Sequence, residues 1–192
     1  MTPRDATDSE RWEPLQRAYR HGAFFVFPPP DVSEQVDELR AEHDPISHAI
    51  CTAHISVTEP LARPLSTHDV RAVRDAVSTF APFRVSYTGP RSTDPHPGVV
   101  YWIEPQDLFG RLRQLLHQQS LFRARTEGRA SIPAHMTIAE FLTVDESNRL
   151  AARLAGNVPE GTWTCDAIVH AVPDSNFHFE RTLSFPFGQS GS

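Results

Sequence analysis

The chain has no lysine: all 18 of its basic residues are arginine. Schiff-base catalysis and a phosphate-binding P-loop both depend on a lysine amine, so the sequence excludes both. Cysteine is also scarce, because Cys51 and Cys165 are the only two and neither lies in a C-x-x-C pattern. This excludes a disulfide scaffold and a cysteine-rich zinc site. No apolar run approaches the roughly 18 residues of a transmembrane helix, so no segment is expected to cross a membrane.

The first residues, MTPRDATDSERWEP, are polar and acidic and do not resemble a signal peptide. We therefore expect a cytoplasmic protein. The formal net charge of −6 argues against binding to duplex DNA, because such binding neutralises many phosphates at once. A small anionic ligand in one local pocket is compatible with this charge. The ten histidines are more than a chain of this size usually carries, and they direct the search for a site.

The length of 192 residues is typical of one domain or of two small lobes that share a core. We expect a lead-in over residues 1–20, a single bilobal domain over residues 21–187 and a tail over residues 188–192. The expected state is a monomer.

Hydrophobic periodicity predicts the element order β-α-β-α-β-β-α-β-α-β-β, which divides into two similar halves. The predicted strands cover residues 23–27, 49–58, 83–88, 99–104, 132–142, 164–172 and 177–187, and the predicted helices begin near residues 31, 66, 106 and 146. A loop is predicted from Gly89 to Gly98. One face of the last strand is predicted to hold Phe177, Phe179, Leu183, Phe185 and Phe187. The order indicates an α+β fold: two pseudo-symmetric lobes, each a mainly antiparallel sheet with helices on its outer face, around a central cleft.

Two short segments echo each other, His54-Ile55-Ser56-Val57 and His135-Met136-Thr137-Ile138. Each reads histidine, apolar, hydroxyl, apolar, and each falls in a predicted strand of one half. Side chains alternate between the two faces of a strand, so the histidine and the hydroxyl residue point one way and the apolar residues the other. The pattern predicts that both imidazole–hydroxyl pairs face a shared space. The plainer alternative is a pair of strand histidines satisfied by backbone or water.

Two imidazoles beside two hydroxyls suit chemistry on a phosphodiester. A histidine pKa near 6.5 makes the neutral base and the protonated acid both available near neutral pH, so we assign His54 and His135 these catalytic roles. The hydroxyls of Ser56 and Thr137 can hydrogen-bond the non-bridging phosphate oxygens. This chemistry needs no metal or other cofactor.

The two segments resemble the paired H-x-[ST]-x signatures of the two-histidine (2H) phosphoesterase superfamily, and most resemble its 2′-5′ RNA ligase-like branch. The resemblance covers roughly residues 23–187. It implies a bilobal α+β fold with a central cleft, and metal-independent chemistry on 2′,3′-cyclic phosphates or 2′-5′ linkages. By this resemblance His54 and His135 take the acid and base roles, and Ser56 and Thr137 bind phosphate.

Two departures from the family pattern bear on the substrate. Ser56 stands where threonine is common, which keeps the hydroxyl. RNA-directed members often place a basic residue one or two positions after the signature, whereas this chain has Thr58-Glu59 and Ala139-Glu140 there. Because a carboxylate at Glu140 would repel a polyanion, we expect a small nucleotide or a short RNA end with a cyclic phosphate or a 2′-5′ linkage, rather than long RNA.

Other ligand-binding residues are less determined by the sequence. Base stacking is assigned to Phe141, Tyr101 or Trp102, with Phe141 favoured because it shares the strand parity of His135 and Thr137. Core packing is the alternative for each aromatic residue. The arginines that could complement a phosphate are Arg84, Arg91, Arg129 and Arg181, and the sequence does not choose among them.

Two other functions stay open at this stage. A metal-dependent phosphohydrolase could use the dipeptides His43-Asp44 and His68-Asp69, although a helix cap is the plainer role of the first. The second alternative is a non-catalytic protein that binds nucleotides or RNA ends in the same cleft. The missing basic residues after the two histidine segments leave room for it.

Overall fold

The computed structural model describes residues 12–122 and 132–188, which contain eight strands and six α-helices. The strands are β1 (Ala23–Val26), β2 (Ile55–Ser56), β3 (Phe83–Ser92), β4 (Val99–Glu104), β5 (His135–Ala139), β6 (Gly161–Cys165), β7 (Ala167–Pro173) and β8 (Phe179–Pro186). The helices are α1 (Pro14–Ala18), α2 (Pro30–His43), α3 (Pro45–Ile50), α4 (Thr67–Val77), α5 (Gln106–His117) and α6 (Val144–Leu154), and a 3₁₀ helix (Tyr19–His21) follows α1.

The strands form one curled antiparallel sheet in the order β6-β3-β4-β5-β2-β1-β7-β8. Its two four-stranded halves meet where β2 pairs with β5 through Ile55 and Met136, and we call this junction the seam. The units β1-α2-β2 and β4-α5-β5 occupy equivalent places on the two sides of the seam. The α+β class and the two antiparallel lobes predicted from the sequence are confirmed. The lobes share one sheet, because β2 pairs with β5 across the seam. The last two strands, β7 and β8, return to pair beside β1.

The main core lies between the sheet and its helices. Val36 of α2, Leu112 of α5 and Leu150 of α6 belong to the same buried cluster as the seam residues Ile55 and Met136. Burying these side chains draws the helices onto one face of the sheet. The opposite face of the seam is left for polar side chains, and we call it the open face.

Helices α4 and α6 begin at capping boxes, close to the predicted starts. Ser66 Oγ accepts a hydrogen bond from Asp69 N–H, and Thr143 Oγ1 accepts one from Glu146 N–H. Each acidic side chain binds the cap residue in return, which satisfies backbone donors that the first turn leaves unpaired.

Across residues 12–122 and 132–188, no helix is long and apolar enough to cross a membrane. The cytoplasmic location stays a prediction.

The second predicted strand, residues 49–58, is wrong over most of its length. Pro45–Ile50 form α3, and only Ile55–Ser56 pair as β2. The Asp44 carboxylate accepts a hydrogen bond from Ser47 N–H at 3.0 Å, and Pro45 takes the first helical position. These features begin a helix locally, and they outweigh the apolar alternation that indicated a strand.

The single apolar face predicted for residues 177–187 is also wrong. The register between β7 and β8 shifts at a bulge near His170. An extra residue in a bulged strand reverses the face that the following residues occupy. Phe179, before the bulge, packs on Phe25 on the open face, whereas Phe185, after it, lies in the main core.

Three other boundaries differ from their predictions. Residues 89–92 of the predicted loop continue β3, the strand predicted over 132–142 is limited to β5, and the strand predicted over 164–172 is divided between β6 and β7. The first difference has a clear cause, because a bulge between Thr88 and Pro90 lets β3 keep pairing with β4 past the proline.

Part of the predicted lead-in packs against the domain. Trp12 is 5% exposed, and its Nε1 donates to the Ser175 carbonyl at 3.2 Å. Its ring meets Phe177 edge-on, with ring centres 5.3 Å apart. The division of the chain into a lead-in and a domain between residues 20 and 21 stays a prediction.

Candidate active site

The two histidine segments lie side by side at the seam. Since Ile55 pairs with Met136 in an antiparallel register, each histidine lies across from the hydroxyl residue of the other strand. The intervening apolar residues are buried, so the polar side chains share the open face. The resulting cross-strand neighbours are His54 with Thr137 and Ser56 with His135.

The two histidines are therefore diagonal neighbours on adjacent strands. Such residues have Cα atoms about 7–8 Å apart, which leaves room for one phosphodiester group between the imidazoles. His54, His135 and Thr137 are half-buried and Ser56 is exposed. Within the described ranges neither hydroxyl has a hydrogen-bond partner, so both can bind a ligand.

Both imidazoles are oriented by the same backbone contact. His54 Nδ1 lies 2.7 Å from the Thr52 carbonyl oxygen, and His135 Nδ1 lies 2.7 Å from the Pro133 carbonyl oxygen. A carbonyl only accepts a hydrogen bond, so Nδ1 carries a proton in each ring. Nε2 is thereby left as the atom that can take or give a proton.

The electrostatic surroundings of the two rings differ. Burial lowers the pKa of both, to about 4 for His54. The charges of Arg40, His135 and Arg181 lower the pKa of His54 further. The charge of Arg113 also lowers the pKa of His135, and the charge of Glu140 partly restores it. His54 is therefore the ring held more strongly in its neutral form.

An arginine of α2 braces the strands from beneath. Arg40 is 2% exposed, and its Nη1 donates to the Thr137 carbonyl at 2.7 Å. Its Nη2 donates to the carbonyls of Ser47 and Cys51, both at 2.9 Å. Arg40 thus ties β5 to the segment that leads into β2.

Arg113 of α5 makes the equivalent connection from the other side, because it ties β2 to the segment that leads into β5. Its Nη1 donates to the Ile132 carbonyl at 2.7 Å, its Nε to the Val57 carbonyl at 2.9 Å, and its Nη2 to the Ser56 carbonyl at 3.4 Å. Each of these two arginines contacts the carbonyl three residues before one histidine and the carbonyl of the hydroxyl residue on the other strand. We call Arg40 and Arg113 the brace arginines, because together they fix the relative position of the two histidine segments.

Trp102 is the predicted stacking residue that the structure brings to the site. It pairs with His135 across β4 and β5, and its Nε1 donates to Glu104 Oε1 at 2.8 Å. The Arg91 guanidinium carbon lies 5.0 Å from the centre of the ring. Trp102 also lines a cavity of about 250 Å³ beside Arg113.

The other two predicted stacking residues lie elsewhere. Tyr101 is fully buried in the main core, so no base can reach its ring. Phe141 is 86% exposed, but β5 ends at Ala139 and Phe141 has a left-handed φ of 58°. The strand parity that favoured Phe141 therefore does not extend to it.

Phe27 takes the place beside His54 that Trp102 takes beside His135. Continuing the β1–β2 register, in which Val26 pairs with Ile55, brings Phe27 across from His54, and their ring centres are 6.1 Å apart. The Arg181 guanidinium carbon lies 3.9 Å from the centre of the Phe27 ring.

The other predicted charged residues differ in their distance from the seam. Arg84 donates to Thr162 Oγ1 at 2.6 Å on strands β3 and β6, and Arg129 lies outside the described residues. Glu140 Oε1 accepts a hydrogen bond from Ser47 Oγ at 3.0 Å, close enough to His135 to act on its pKa.

The His–Asp dipeptides hold structural roles. The Asp44 carboxylate caps α3, and the Asp69 carboxylate binds Arg63 at 2.6 and 2.9 Å. Across the described ranges, no group of three His, Cys, Asp or Glu side chains is arranged to hold a metal ion. Cys51 and Cys165 are buried and free, and burial raises the pKa of each thiol to about 12.

Comparison with models of protein families identifies the family to which the chain belongs. A model of the 2′-5′ RNA ligase superfamily matches residues 28–176. The chain belongs to the 2′-5′ RNA ligase superfamily. The matched range includes both histidine segments and both brace arginines, whereas Phe27 and Arg181 lie outside it. No curated protein matches the chain.

Solved structures of this superfamily's fold resemble the chain over most of its length. The apo structure of E. coli LigT has a TM-score of 0.55 and 14% identity, covering 87% of this chain and 96% of LigT. TT0787 of Thermus thermophilus has a TM-score of 0.55 and 14% identity, covering 88% of this chain and 98% of that one. A structure described as a phosphoesterase has a TM-score of 0.53 and 13% identity, covering 87% of this chain and 98% of that one. At these identities the likeness shows the fold alone.

Four residues at this site were not predicted from the sequence. Arg40 had a signal, because it follows Val36 by four positions on the inward face of a predicted helix. Phe27 looked like the end of a core strand. Thr52 shared the strand parity of His54, and Arg113 gave no distinguishing pattern.

Proposed function

We propose that the protein is a metal-independent phosphodiesterase that hydrolyses 2′,3′-cyclic phosphates or 2′-5′ linkages of nucleotides or RNA ends. The register of the seam carries this proposal, because it brings two oriented imidazoles and two unpartnered hydroxyls of the described chain onto one face. Membership of the 2′-5′ RNA ligase superfamily and the fold shared with a phosphoesterase support it.

In the proposed reaction a water oxygen attacks the phosphorus. One histidine takes a water proton on its neutral Nε2, and the other donates its Nε2 proton to the departing ribose oxygen as the phosphorus–oxygen bond breaks. The hydroxyls of Ser56 and Thr137 donate to the non-bridging oxygens, where negative charge increases. The product from a cyclic phosphate is a nucleoside monophosphate.

We assign the base to His54 and the acid to His135. The larger lowering of its pKa keeps His54 neutral. Glu140 favours the protonated form of His135, and the negative charge of a bound phosphodiester adds to that effect.

The substrate is proposed to be a small nucleotide or a short RNA end. E. coli LigT has been solved in complex with ATP, with NADP+ and with 3′-AMP, all of which combine a nucleoside with phosphate. Trp102 on the open face could stack a base beside the phosphate.

The test is hydrolysis of nucleoside 2′,3′-cyclic monophosphates and of 2′-5′-linked dinucleotides in excess EDTA. We expect activity in the wild type, and a loss of about 10²- to 10⁴-fold in kcat for His54→Ala and for His135→Ala, the usual effect of a positioned acid or base. His96→Ala, a change at an exposed histidine far along the chain from both segments, should keep full activity.

Activity that disappears with the chelator, or that survives both active-site substitutions, contradicts the mechanism. Nucleotide binding without turnover of either substrate class would favour the non-catalytic alternative instead.

A further inference from the structure

We propose that Arg181 is a phosphate-binding residue of this site, which supplies the cation that the chain lacks after its two histidine segments. The inference rests on the proposed function for the identity of the substrate, but the binding it describes can be measured separately. The ligand chemistry is a phosphate oxyanion, either the phosphate under attack or a second phosphate of the same nucleotide.

The geometry places the Arg181 guanidinium beside His54. Its carbon lies 3.9 Å from the centre of the Phe27 ring, and the Phe27 and His54 ring centres are 6.1 Å apart. Its Nη2 donates to Thr52 Oγ1 at 3.2 Å. Thr52 is also the residue whose carbonyl orients His54, so Arg181 and His54 are held by one residue.

The charge of Arg181 is available to a ligand. The side chain is exposed, and in the described part of the chain it contacts no carboxylate. Stacking on Phe27 and a single hydrogen bond hold the planar group in place while leaving other N–H donors open. A guanidinium with open donors matches phosphate geometry well.

The arrangement explains how a site with glutamates after both histidine segments can attract an anion. Arg40 and Arg113 do not fill this role, because each guanidinium donates to three backbone carbonyls of the segments around the seam. Arg181 comes from β8, far along the sequence from either segment and outside the residues that the superfamily model matches.

The experiment compares the wild type, Arg181→Met and Arg111→Met. Arg111 is exposed on α5 and its guanidinium lies over the Phe80 ring at 5.5 Å. Its replacement therefore removes the same charge and the same type of stacked contact outside the site. Arg181→Lys, which keeps the charge without the planar group, tests the need for the guanidinium, and thermal unfolding confirms that each variant folds.

The first measurement is the affinity for adenosine 3′-monophosphate and for inorganic phosphate, by calorimetry or NMR titration in a phosphate-free buffer. Losing a charge-assisted hydrogen bond predicts about 10-fold weaker binding in Arg181→Met. Arg181→Lys should be intermediate, and Arg111→Met should match the wild type. This result does not depend on turnover, so it stands or fails separately from the proposed hydrolysis.

The second measurement distinguishes the two sources of the phosphate. It compares kcat/KM for a nucleoside 2′,3′-cyclic monophosphate with that for its 5′-phosphorylated form. If Arg181 binds the phosphate under attack, Arg181→Met lowers both values by the same factor, about 10-fold or more. If it binds a second phosphate, Arg181→Met lowers kcat/KM for the 5′-phosphorylated substrate and leaves kcat/KM for the unphosphorylated one unchanged. The proposal is overturned if the affinities and both kcat/KM values of Arg181→Met stay within about twofold of the wild type, against the roughly 10-fold loss expected. It is also overturned if Arg111→Met shows equal losses.

Discussion

At the level of single residues, the two histidines of the site are oriented by the same local backbone contact. Each imidazole donates from Nδ1 to the carbonyl two residues earlier, and what differs is the charge around it. Arg40 and Arg181 both lower the pKa of His54, whereas His135 lies near Arg113, which lowers its pKa, and near Glu140, which raises it. Two rings with the same orientation can therefore serve as base and acid.

This difference predicts the pH dependence of the reaction. In kcat/KM, which reports the free enzyme, we expect a bell-shaped profile. Activity should rise as His54 loses its proton near its pKa of about 4, and it should fall as His135 loses its proton below the ordinary histidine pKa of 6.5. The measurement is kcat/KM on a cyclic nucleotide from about pH 3.5 to about pH 8.

Glu140→Gln isolates the acid in this profile. Gln can still accept the hydrogen bond from Ser47, but it lacks the charge that raises the pKa of His135. The alkaline limb should therefore move to lower pH while the acid limb stays in place. A limb that moves to higher pH, or an acid limb that moves instead, would contradict the assignment of His135 as the acid.

The residues of this site differ in how far the sequence could predict them. The two histidine segments carry their own signature, and the burial of the residues between them follows from strand alternation. The place of Phe27 depends on the register of β1 with β2, and the place of Arg181 depends on β8 returning beside β7. No local pattern encodes these long-range pairings.

At the level of elements, helices α2 and α5 act on the site through the brace arginines. Each helix connects the two strands of its own unit and sends one guanidinium under both histidine segments. The brace arginines are positioning residues, since they contact backbone carbonyls and not the reacting groups.

Arg113→Met should therefore impair catalysis more than binding. Without the brace, the two segments can shift relative to each other, and misplacement by about 1 Å can cost about 100-fold in rate. We expect kcat to fall about 10- to 100-fold with little change in KM or in the affinity for a nucleoside monophosphate. Steady-state kinetics and calorimetry on the same preparations measure both.

Arg111→Met, on the same helix, is the matched control and should keep the wild-type kcat. A loss of affinity equal to the loss of kcat in Arg113→Met would instead assign Arg113 to substrate binding. An unchanged kcat would show that the seam holds the histidines without this brace.

Hydrophobic periodicity predicted helix starts near residues 66 and 146, close to the observed ones, which begin at the capping boxes of Ser66 and Thr143. Asp44-Pro45 is a signal of the same kind, but apolar alternation over residues 49–58 concealed it. The bulges in β3 and β8 leave no mark in the hydrophobic pattern, so the boundaries near them were missed.

For the molecule as a whole, the buried His170 adds a pH dependence of stability to that of the two site histidines. His170 is 1% exposed, with Nδ1 2.8 Å from Thr182 Oγ1 and Nε2 2.9 Å from the His21 carbonyl. Burial lowers its pKa from 6.5 to about 4. The folded protein therefore keeps this ring neutral over a range in which the unfolded chain protonates it.

The free energy of unfolding should consequently decrease as the pH falls from about 6.5 to about 4, because the unfolded state binds the extra proton there. At about 1.36 kcal/mol for each pKa unit, His170 contributes a loss of about 3 kcal/mol, complete near about pH 4 and absent above about pH 7. Urea unfolding at a series of pH values measures it, and His170→Gln should flatten the curve by that amount. His96→Gln, at an exposed position, is the control and should leave the slope unchanged. A His170→Gln curve parallel to that of the wild type would show that His170 is protonated in the folded protein as readily as in the unfolded chain.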